Sequence, residues 1–128
     1  MSLKEPMGED ESLNADEKSL LILESIREKK GHQIVTIDLR EVDHAICDKF
    51  IICHGESTTQ VGSIADAIEK ELKEQAGIRA HHVEGLQNKQ WVLLDFFDVL
   101  VHVFLGDFRD FYKLEELWAD GKVVMEKE

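Results

Sequence analysis

The sequence predicts an α/β fold in which helices pack on a mixed β-sheet of about five strands. Some segments place apolar residues at helical spacing, whereas others are β-branched runs typical of strands. Two predicted strands follow each other directly and two more lie only a turn apart, so the sheet cannot be purely parallel. The nearly continuous apolar runs at 92–94 and 99–101 indicate strands that are buried on both faces.

The first predicted element is a helix that begins after Asn14, a residue suited to an N-cap. Its apolar positions recur at helical spacing until Gly31, which is expected to end it. The pattern then changes to the β-branched run 34–39, which predicts a first strand. Residues 50–53 predict a second strand, which ends at Gly55.

A second helix is predicted to begin at Ser57 or Thr58 and to end at Gly77. Its apolar positions follow the spacing of one helix face: Val61, Ile64, Ala65, Ile68 and Leu72. Short strands are predicted at 79–83, 91–96 and 99–105, and the last two should form a hairpin. Residues 109–118 have helical spacing.

The chain is predicted to hold one domain, because 128 residues that are 43% hydrophobic support a single compact core. Residues 1–14 contain the only proline and four acidic residues, so we expect a flexible acidic leader. The α/β domain is predicted to span residues 15–118. Residues 119–128 are predicted to form a charged C-terminal tail.

The charge of the chain disfavours binding to nucleic acid or to anionic membranes, since 15 basic against 27 acidic residues give a net charge of −12. No apolar run is long enough for a membrane span or a signal peptide, which predicts a soluble, cytoplasmic protein. Cys47 and Cys53 are not expected to form a disulfide bond.

The sequence contains no motif that predicts catalysis, a cofactor or a metal site. His81 and His82 are neighbours on a predicted strand and should point to opposite faces. Nucleotidyltransferases hold metal ions with acidic residues two apart on a strand, but Phe97 occupies the position two residues after Asp95. We therefore expect Asp98 to make hydrogen bonds in the turn and Asp95 to be a surface or interface acid.

Aromatic residues are concentrated in the last third of the chain, beyond what hairpin packing obviously requires. They are Trp91, Phe96, Phe97, Phe104, Phe108, Phe111, Tyr112 and Trp118. Aromatic side chains anchor many protein interfaces, and acidic surroundings attract a basic partner. The pattern therefore favours a protein-binding module.

Several segments together resemble the ribosomal silencing factor family, the Iojap-like proteins. The resemblance covers about residues 15–118 and depends on the order and spacing of short motifs. These are Asp48-Lys49-Phe50-Ile51-Ile52-Cys53-His54-Gly55, Ser57 with Gln60-Val61 and Ile64-Ala65-Asp66, Glu84-Gly85, Trp91-Val92-Leu93-Leu94-Asp95, Asp98-Val99, His102-Val103-Phe104, and Arg109, Tyr112, Leu114-Glu115 and Leu117-Trp118.

The resemblance implies a fold related in topology to nucleotidyltransferases but without their catalytic pair or activity. It also implies binding to the large ribosomal subunit through its fourteenth large-subunit protein, at the face that would join the small subunit. Occupation of that face would block subunit joining and lower translation when nutrients are scarce. Such an inhibitor would not be an enzyme.

The resemblance implies partner-binding residues on two segments: Trp91, Leu93, Leu94, Asp95, Arg109, Tyr112, Leu114, Glu115 and Trp118. Trp91 would be an apolar anchor, and Asp95 or Glu115 would accept from Lys or Arg of the partner. Leu94 and Leu114 could equally be core residues, and Arg109 could pair with a neighbouring acid. Family members more often have glycine where this chain has Phe97, which leaves the turn type and the exposure of Phe97 open.

Three alternatives stay open. The apolar patch could pair with a second copy of the chain, giving a homodimer that competes with the ribosome. The protein could be a degenerate or substrate-restricted nucleotidyltransferase, which would need a second carboxylate near Asp95 from another strand. It could also be an adaptor for a different basic protein.

Overall fold

The computed structural model describes residues 13–128, apart from the side chains of Phe111 and Tyr112. Residues 1–12 of the predicted leader lie outside the described part of the chain. The last two residues of that leader belong to the domain, because Leu13 packs against the core and Asn14 caps the first helix.

Residues 13–128 form helices and strands in an order that agrees with the predicted mixed α/β class. The helices are α1 (Ala15–Glu28), α2 (Thr58–Ala76), α3 (Gly106–Tyr112) and α4 (Leu114–Leu117). The strands are β1 (His32–Asp38), β2 (Lys49–Gly55), β3 (His82–Glu84), β4 (Trp91–Asp95), β5 (Val99–Leu105) and β6 (Lys122–Met125).

Capping contacts confirm the predicted start of α1 and both predicted ends of α2, whereas α1 ends at Glu28, before the predicted Gly31. The Asn14 side chain accepts a hydrogen bond from the backbone N–H of Glu17. The Ser57 side chain accepts one from the backbone N–H of Gln60. Gly77 follows α2 in the left-handed conformation, at φ 68°. After α1, however, Lys30 takes the left-handed conformation, and Gly31 is needed because a Cβ there would lie 2.5 Å from the Ile26 side chain.

The sheet is mixed, with strand order β3-β4-β5-β2-β1-β6. The central strands β2 and β5 run parallel in a continuous register from Lys49 opposite Val99 to Gly55 opposite Leu105. All other neighbouring strands within residues 13–128 pair antiparallel, including the predicted hairpin β4–β5. The strand order could not be deduced from the sequence.

The sheet separates two apolar clusters. One face is covered by α1 and α2, and its core includes Ile22, Ile26, Ile64, Ile68 and Leu72 from these helices. The opposite face holds a second cluster built on Phe50, Ile52, Leu100 and Phe104, against which Trp91, Leu93 and Trp118 pack while partly exposed. Apolar side chains on the face opposite α1 and α2 are therefore less completely buried than those beneath the helices.

The strands at 91–96 and 99–105 were both predicted to be buried on both faces. This is confirmed for β5 and not for β4. Residues 99–104 of β5 are all buried. In β4 the burial alternates, with Val92 and Leu94 buried and Trp91, Leu93 and Asp95 half-exposed. On its second face, Trp91 and Leu93 pack against the cluster of Phe50 and Phe104 while partly exposed.

The structure differs from the prediction at the end of the chain. Residues 122–125, predicted as part of a charged tail, form β6 and pair with β1. The helix predicted over 109–118 is divided at Lys113, whose φ of 50° separates α3 from α4. Strand β3 is shorter than predicted, because only residues 82–84 pair with β4.

Candidate functional site

The candidate site is the partly exposed side of the sheet that faces away from α1 and α2. We call it the aromatic face and define it by Phe50, Trp91, Leu93, His102, Phe104 and Trp118. Strand alternation places Trp91 and Leu93 on this face, while Val92 and Leu94 enter the core on the other side. The aromatic face therefore combines a buried floor with half-exposed apolar side chains.

Trp91 is held in place from two directions. Its ring stacks on Phe104, its register partner in β5, with the ring centroids 5.1 Å apart and the planes 26° from parallel. Its indole Nε1 donates a hydrogen bond of 3.1 Å to Nδ1 of His102. Gly85 passes over the Trp91 backbone at φ 88°, where a Cβ would lie 2.1 Å from the Trp91 carbonyl oxygen.

His102 lies buried beneath Trp91. Burial lowers the pKa of His102 to about 4. Because Nδ1 accepts from Trp91, the neutral ring carries its proton on Nε2, and Nε2 is buried with no hydrogen-bond partner among the described residues. The Phe50 ring packs edge-on against both His102 and Trp118. The titratable ring is thus enclosed by aromatic groups.

Arg109 and Glu115 form an internal ion pair, which favours the structural interpretation of Arg109. The Arg109 side chain is 5% exposed, and its Nη2 and Nε donate to Glu115 Oε2 at 2.7 and 3.1 Å. Its Nη1 lies 3.3 Å from the carbonyl oxygen of His32 and 3.1 Å from Nδ1 of His54. Arg109 therefore connects α3 both to Glu115 in α4 and to the ends of β1 and β2.

The other predicted partner-binding residues divide between core and surface. Leu94 and Leu114 are buried, so the structure supports the packing interpretation of both. Trp91, Leu93, Asp95 and Trp118 are partly exposed, as is Glu115, whose carboxylate is engaged by Arg109. The side chain of Tyr112 lies outside the described residues. Only part of the predicted set is therefore placed where a partner could contact it.

The turn hydrogen bond of the β4–β5 hairpin, predicted for Asp98, is made by Asp95, which remains partly exposed. Asp95 makes the turn hydrogen bond, accepting from the backbone N–H of Phe97 at 2.7 Å. Asp98 instead pairs at 2.8 Å with Lys18, a buried lysine whose Nζ also lies 3.3 Å from the carbonyl oxygen of Phe96. The burial of Lys18 decides this assignment, because a buried ammonium requires a counter-ion.

Phe97 is exposed at the tip of this hairpin. Its φ is 83°, its side chain is 70% exposed, and its ring stacks on His81 at 5.3 Å. The N–H of Asp98 donates to the carbonyl oxygen of Phe96 at 3.1 Å, which makes a tight turn centred on Phe97. This is the position at which glycine was expected from the family pattern.

His102 and Gly85 were not predicted as site residues. His102 lies in an apolar run of β5. Nothing in that run shows that the Trp91 side chain, on the neighbouring strand β4, contacts it. In the sequence, Gly85 is indistinguishable from an ordinary turn residue. In the structure, its missing side chain allows close contact with the Trp91 backbone. Both roles follow from the β4–β5 register and the packing around it.

Neither a metal centre nor a membrane span is visible in residues 13–128. No group of three or more His, Cys, Asp or Glu side chains there is arranged to hold a metal ion. No helix in the same range is both long and apolar enough to cross a membrane.

Comparison with known proteins identifies the family. Residues 12–128 match the family described as "Ribosomal silencing factor during starvation". The chain is 41% identical over 104 residues to a ribosomal silencing factor of Halalkalibacterium halodurans, covering 81% of this chain and 87% of that protein. It is 40% identical over 100 residues to the ribosomal silencing factor of Bacillus subtilis, covering 76% and 80%.

A solved structure supports the same assignment. A crystal structure of a Chromobacterium violaceum protein superposes with a TM-score of 0.79 at 33% identity, covering 91% of this chain and 95% of that one. The resemblance seen in the sequence motifs is thereby confirmed over most of the chain. The protein belongs to the ribosomal silencing factor family, a family of translation regulators that act on the ribosome.

Proposed function

We propose that the aromatic face binds the large ribosomal subunit through its fourteenth large-subunit protein and that the bound chain blocks joining of the small subunit. One observation carries the proposal: Trp91 and Leu93 are only half-buried on a sheet face whose floor is aromatic and fully buried. Half-exposed aromatic residues next to a buried core are typical anchors of protein interfaces.

The geometry around Trp91 suits an anchor because the ring is already held in one orientation. Stacking on Phe104 and the hydrogen bond to His102 restrict both side-chain torsions before any partner arrives. A rigid anchor loses little conformational entropy on binding, so more of its contact energy contributes to affinity.

Charge supports a basic partner. The net charge of −12 would steer a positively charged ribosomal protein towards the chain and raise the rate of association at low salt. Asp95, half-exposed at the end of β4, is the acid we assign to the rim of the aromatic face. Glu115 contributes less, because its carboxylate already accepts two hydrogen bonds from Arg109.

Inhibition by occupancy requires no chemical step. Asp95 and Asp98, the acids that invited comparison with nucleotidyltransferases, are engaged by Phe97 N–H and by Lys18. No group of three or more His, Cys, Asp or Glu side chains in residues 13–128 includes them in an arrangement that could hold a metal ion. A domain of 14.7 kDa placed at the subunit interface would exclude the small subunit by its volume alone.

The decisive experiment is cosedimentation of Trp91→Ala with purified large subunits. We expect a loss of at least about 2 kcal/mol, roughly 30-fold in affinity. Leu20→Ala is the matched control, because Leu20 is an apolar residue 68% exposed on α1, on the other side of the sheet. Thermal melts of both variants would show that they are folded.

Two further outcomes bear on the proposal. Full pelleting of a folded Trp91→Ala variant would remove Trp91 from the binding surface. Equal affinity of the wild-type protein for the ribosomal protein and for an unrelated basic protein would favour a general adaptor. In a light-scattering assay of subunit joining, wild-type protein should lower the amplitude and Trp91→Ala should restore it.

A second copy of the chain is the other occupant that we consider for the aromatic face. The wild-type chain would then self-associate through Trp91, and added large subunits would dissociate the pair. Measurement of molecular mass with and without large subunits distinguishes this case, since the two occupants would exclude each other.

A further inference from the structure

Stacking on Phe104 is compatible with two orientations of the Trp91 ring. The second side-chain torsion of tryptophan has two broad minima, and rotation between them leaves the plane of the indole nearly unchanged. The rotation exchanges the two edges of the indole. One edge carries the Nε1 donor, and the other is the hydrocarbon edge of the six-membered ring. Stacking therefore fixes the plane of Trp91 but not the edge that faces His102.

His102 selects one of the two orientations. Its Nδ1 accepts the hydrogen of Trp91 Nε1 at a distance of 3.1 Å. The His102 ring is buried, and its centroid lies 5.9 Å from that of Trp91 and 6.4 Å from that of Phe104. Rotation of Trp91 would place hydrocarbon against Nδ1 and separate the donor from its acceptor. Because a buried polar group without a partner is costly, the bond favours the observed edge.

The other side chains packed around His102 do not compete for this bond. Leu93 lies opposite His102 in β4 and Ile52 lies opposite it in β2, and both side chains are hydrocarbon. The Phe50 ring packs edge-on against His102, with the centroids 4.7 Å apart. In this apolar environment, Trp91 is the side chain whose position depends on the Nδ1 acceptor.

We propose that His102 is a positioning residue for partner binding: it holds the N–H edge of Trp91 inward, so that the anchor offers hydrocarbon to an apolar surface of the partner. This inference rests on the proposed function, in which Trp91 is the anchor. It adds the chemistry of the contact. Because Nε1 is already bonded to His102, the partner does not need a hydrogen-bond acceptor at this point, and aliphatic side chains are the groups that fit.

The charged contact lies away from this apolar one. Asp95 is four residues from Trp91 and on the same side of β4, about 13 Å along the strand. It accepts from the backbone N–H of Phe97 through Oδ1, so Oδ2 remains available to a basic side chain. The partner surface that fits therefore combines an aliphatic patch with Lys or Arg about 13 Å from it.

Two substitutions of similar shape test the role of His102. Asparagine places its side-chain oxygen close to the position of Nδ1, so His102→Asn keeps an acceptor for Trp91. His102→Leu has the same branching and no acceptor. In cosedimentation with purified large subunits, we expect His102→Asn to stay within about threefold of the wild-type affinity. His102→Leu should lose about tenfold or more, because an unpaired Nε1 favours the rotated ring by about that factor. Equal affinities of the two folded variants would overturn the proposal.

A double-variant cycle separates the positioning of Trp91 from damage to the fold. Trp91→Phe introduces a ring that has no N–H and two identical edges, so His102 has no orientation to select. In the Trp91→Phe background, His102→Leu should therefore lower the affinity by less than about twofold. A loss of about tenfold in that background would show that His102→Leu acts through the fold, and it would contradict the proposal.

Hydrogen exchange of the Trp91 indole measures the bond in the free protein. We expect the Nε1 hydrogen to exchange at least about tenfold more slowly in wild type and His102→Asn than in His102→Leu, because a buried, hydrogen-bonded N–H is protected. The chain has two tryptophans, and the signal that Trp91→Phe removes assigns this proton. Equal exchange in all three proteins would mean that His102 does not fix the edge of Trp91.

Salt tests the chemistry of the contact, because salt screens charges and leaves apolar contacts in place. The affinity lost in Trp91→Ala should be equal at low and high salt, whereas the loss in Asp95→Asn should decrease as salt rises. A Trp91→Ala effect that decreases with salt as much as that of Asp95→Asn would contradict an apolar contact.

Trp91→Ala also distinguishes failure of this inference from failure of the proposed function. Full pelleting of folded Trp91→Ala with large subunits would reject the anchor itself. Loss of pelleting by Trp91→Ala, together with wild-type pelleting by folded His102→Leu, would keep the anchor and reject the positioning role of His102.

Discussion

The indole N–H of Trp91, the single donor of that side chain, donates to Nδ1 of His102. This bond joins a half-exposed aromatic residue to a buried titratable one. Only neutral His102 can accept this bond, because protonation adds a hydrogen to Nδ1. The orientation of Trp91 therefore depends on the protonation state of a side chain beneath the aromatic face.

Acid should destabilise the protein through His102. Burial lowers the pKa of His102 to about 4, below the value of 6.5 for an unperturbed histidine. As pH falls below about 6.5, the unfolded chain binds a proton first, so the stabilising contribution is lost between pH 6.5 and 4. Between pH 7 and 5 we expect the loss to be about 2 kcal/mol, measured by urea unfolding.

His102→Gln is the control for this measurement, since glutamine cannot titrate in that range. Other groups titrate equally in both proteins and cancel, including His54, whose pKa is also lowered by burial. If the variant and the wild type lost the same free energy of unfolding between pH 7 and 5, His102 would not be the source of the acid sensitivity.

Loss of Glu115 and loss of Arg109 should not be additive in their effect on the free energy of unfolding. Glu115→Gln leaves the guanidinium of Arg109 buried without its counter-ion, which we expect to cost roughly 2 kcal/mol, because Glu115 is partly exposed. The double variant Arg109→Met, Glu115→Gln removes the buried charge as well. It should therefore be more stable than the sum of the two single changes predicts.

Denaturant unfolding of the four proteins in this cycle measures the coupling. Additive changes in the free energy of unfolding would show that Arg109 and Glu115 do not depend on each other. Reduced ribosome binding by a Glu115→Gln variant of unchanged stability would instead restore Glu115 to the partner-binding surface.

Phe97→Gly should raise the stability of the hairpin. A φ of 83° costs a side-chain-bearing residue about 1 kcal/mol or more, whereas glycine adopts it freely. The stacking of Phe97 on His81 is exposed and offsets part of this strain. We therefore expect a gain of up to about 1 kcal/mol for Phe97→Gly, and a loss for Phe97→Val because a β-branched residue tolerates positive φ poorly.

The melting temperatures of the two Phe97 variants show whether the backbone strain at Phe97 or its stacking on His81 has the larger effect on stability. A glycine variant that melts below the wild type would show that the contact with His81 outweighs the backbone strain. Because Phe97 is not in the proposed anchor, neither variant should alter cosedimentation with large subunits.

Local signals predicted the elements whose stabilising contacts are close in sequence. The caps at Asn14, Ser57 and Gly77 were recognisable because a capping side chain, or a left-handed glycine, acts within one turn of its own helix. The β4–β5 hairpin was predicted for the same reason, since its strands are separated by three residues.

The candidate site was predictable only in part. Trp91 was identified from its motif, and strand alternation puts Leu94 on the same face as Val92, but only the packed structure shows that this is the face covered by α1 and α2. The helix predicted over 109–118 would have set Arg109 apart from Glu115. The left-handed residue Lys113 turns the chain and allows the two side chains to meet.

By itself, the sequence determined the mixed α/β class, the start of α1, both ends of α2, the strong negative charge and the family. These properties are local or additive, so they do not depend on how the chain closes. Tertiary structure alone decided the strand order, the pairing of β6 with β1, the bond from Trp91 to His102 and the pairing of Asp98 with Lys18. Each of these joins segments through the packed sheet, and their free energy exists only when distant residues meet.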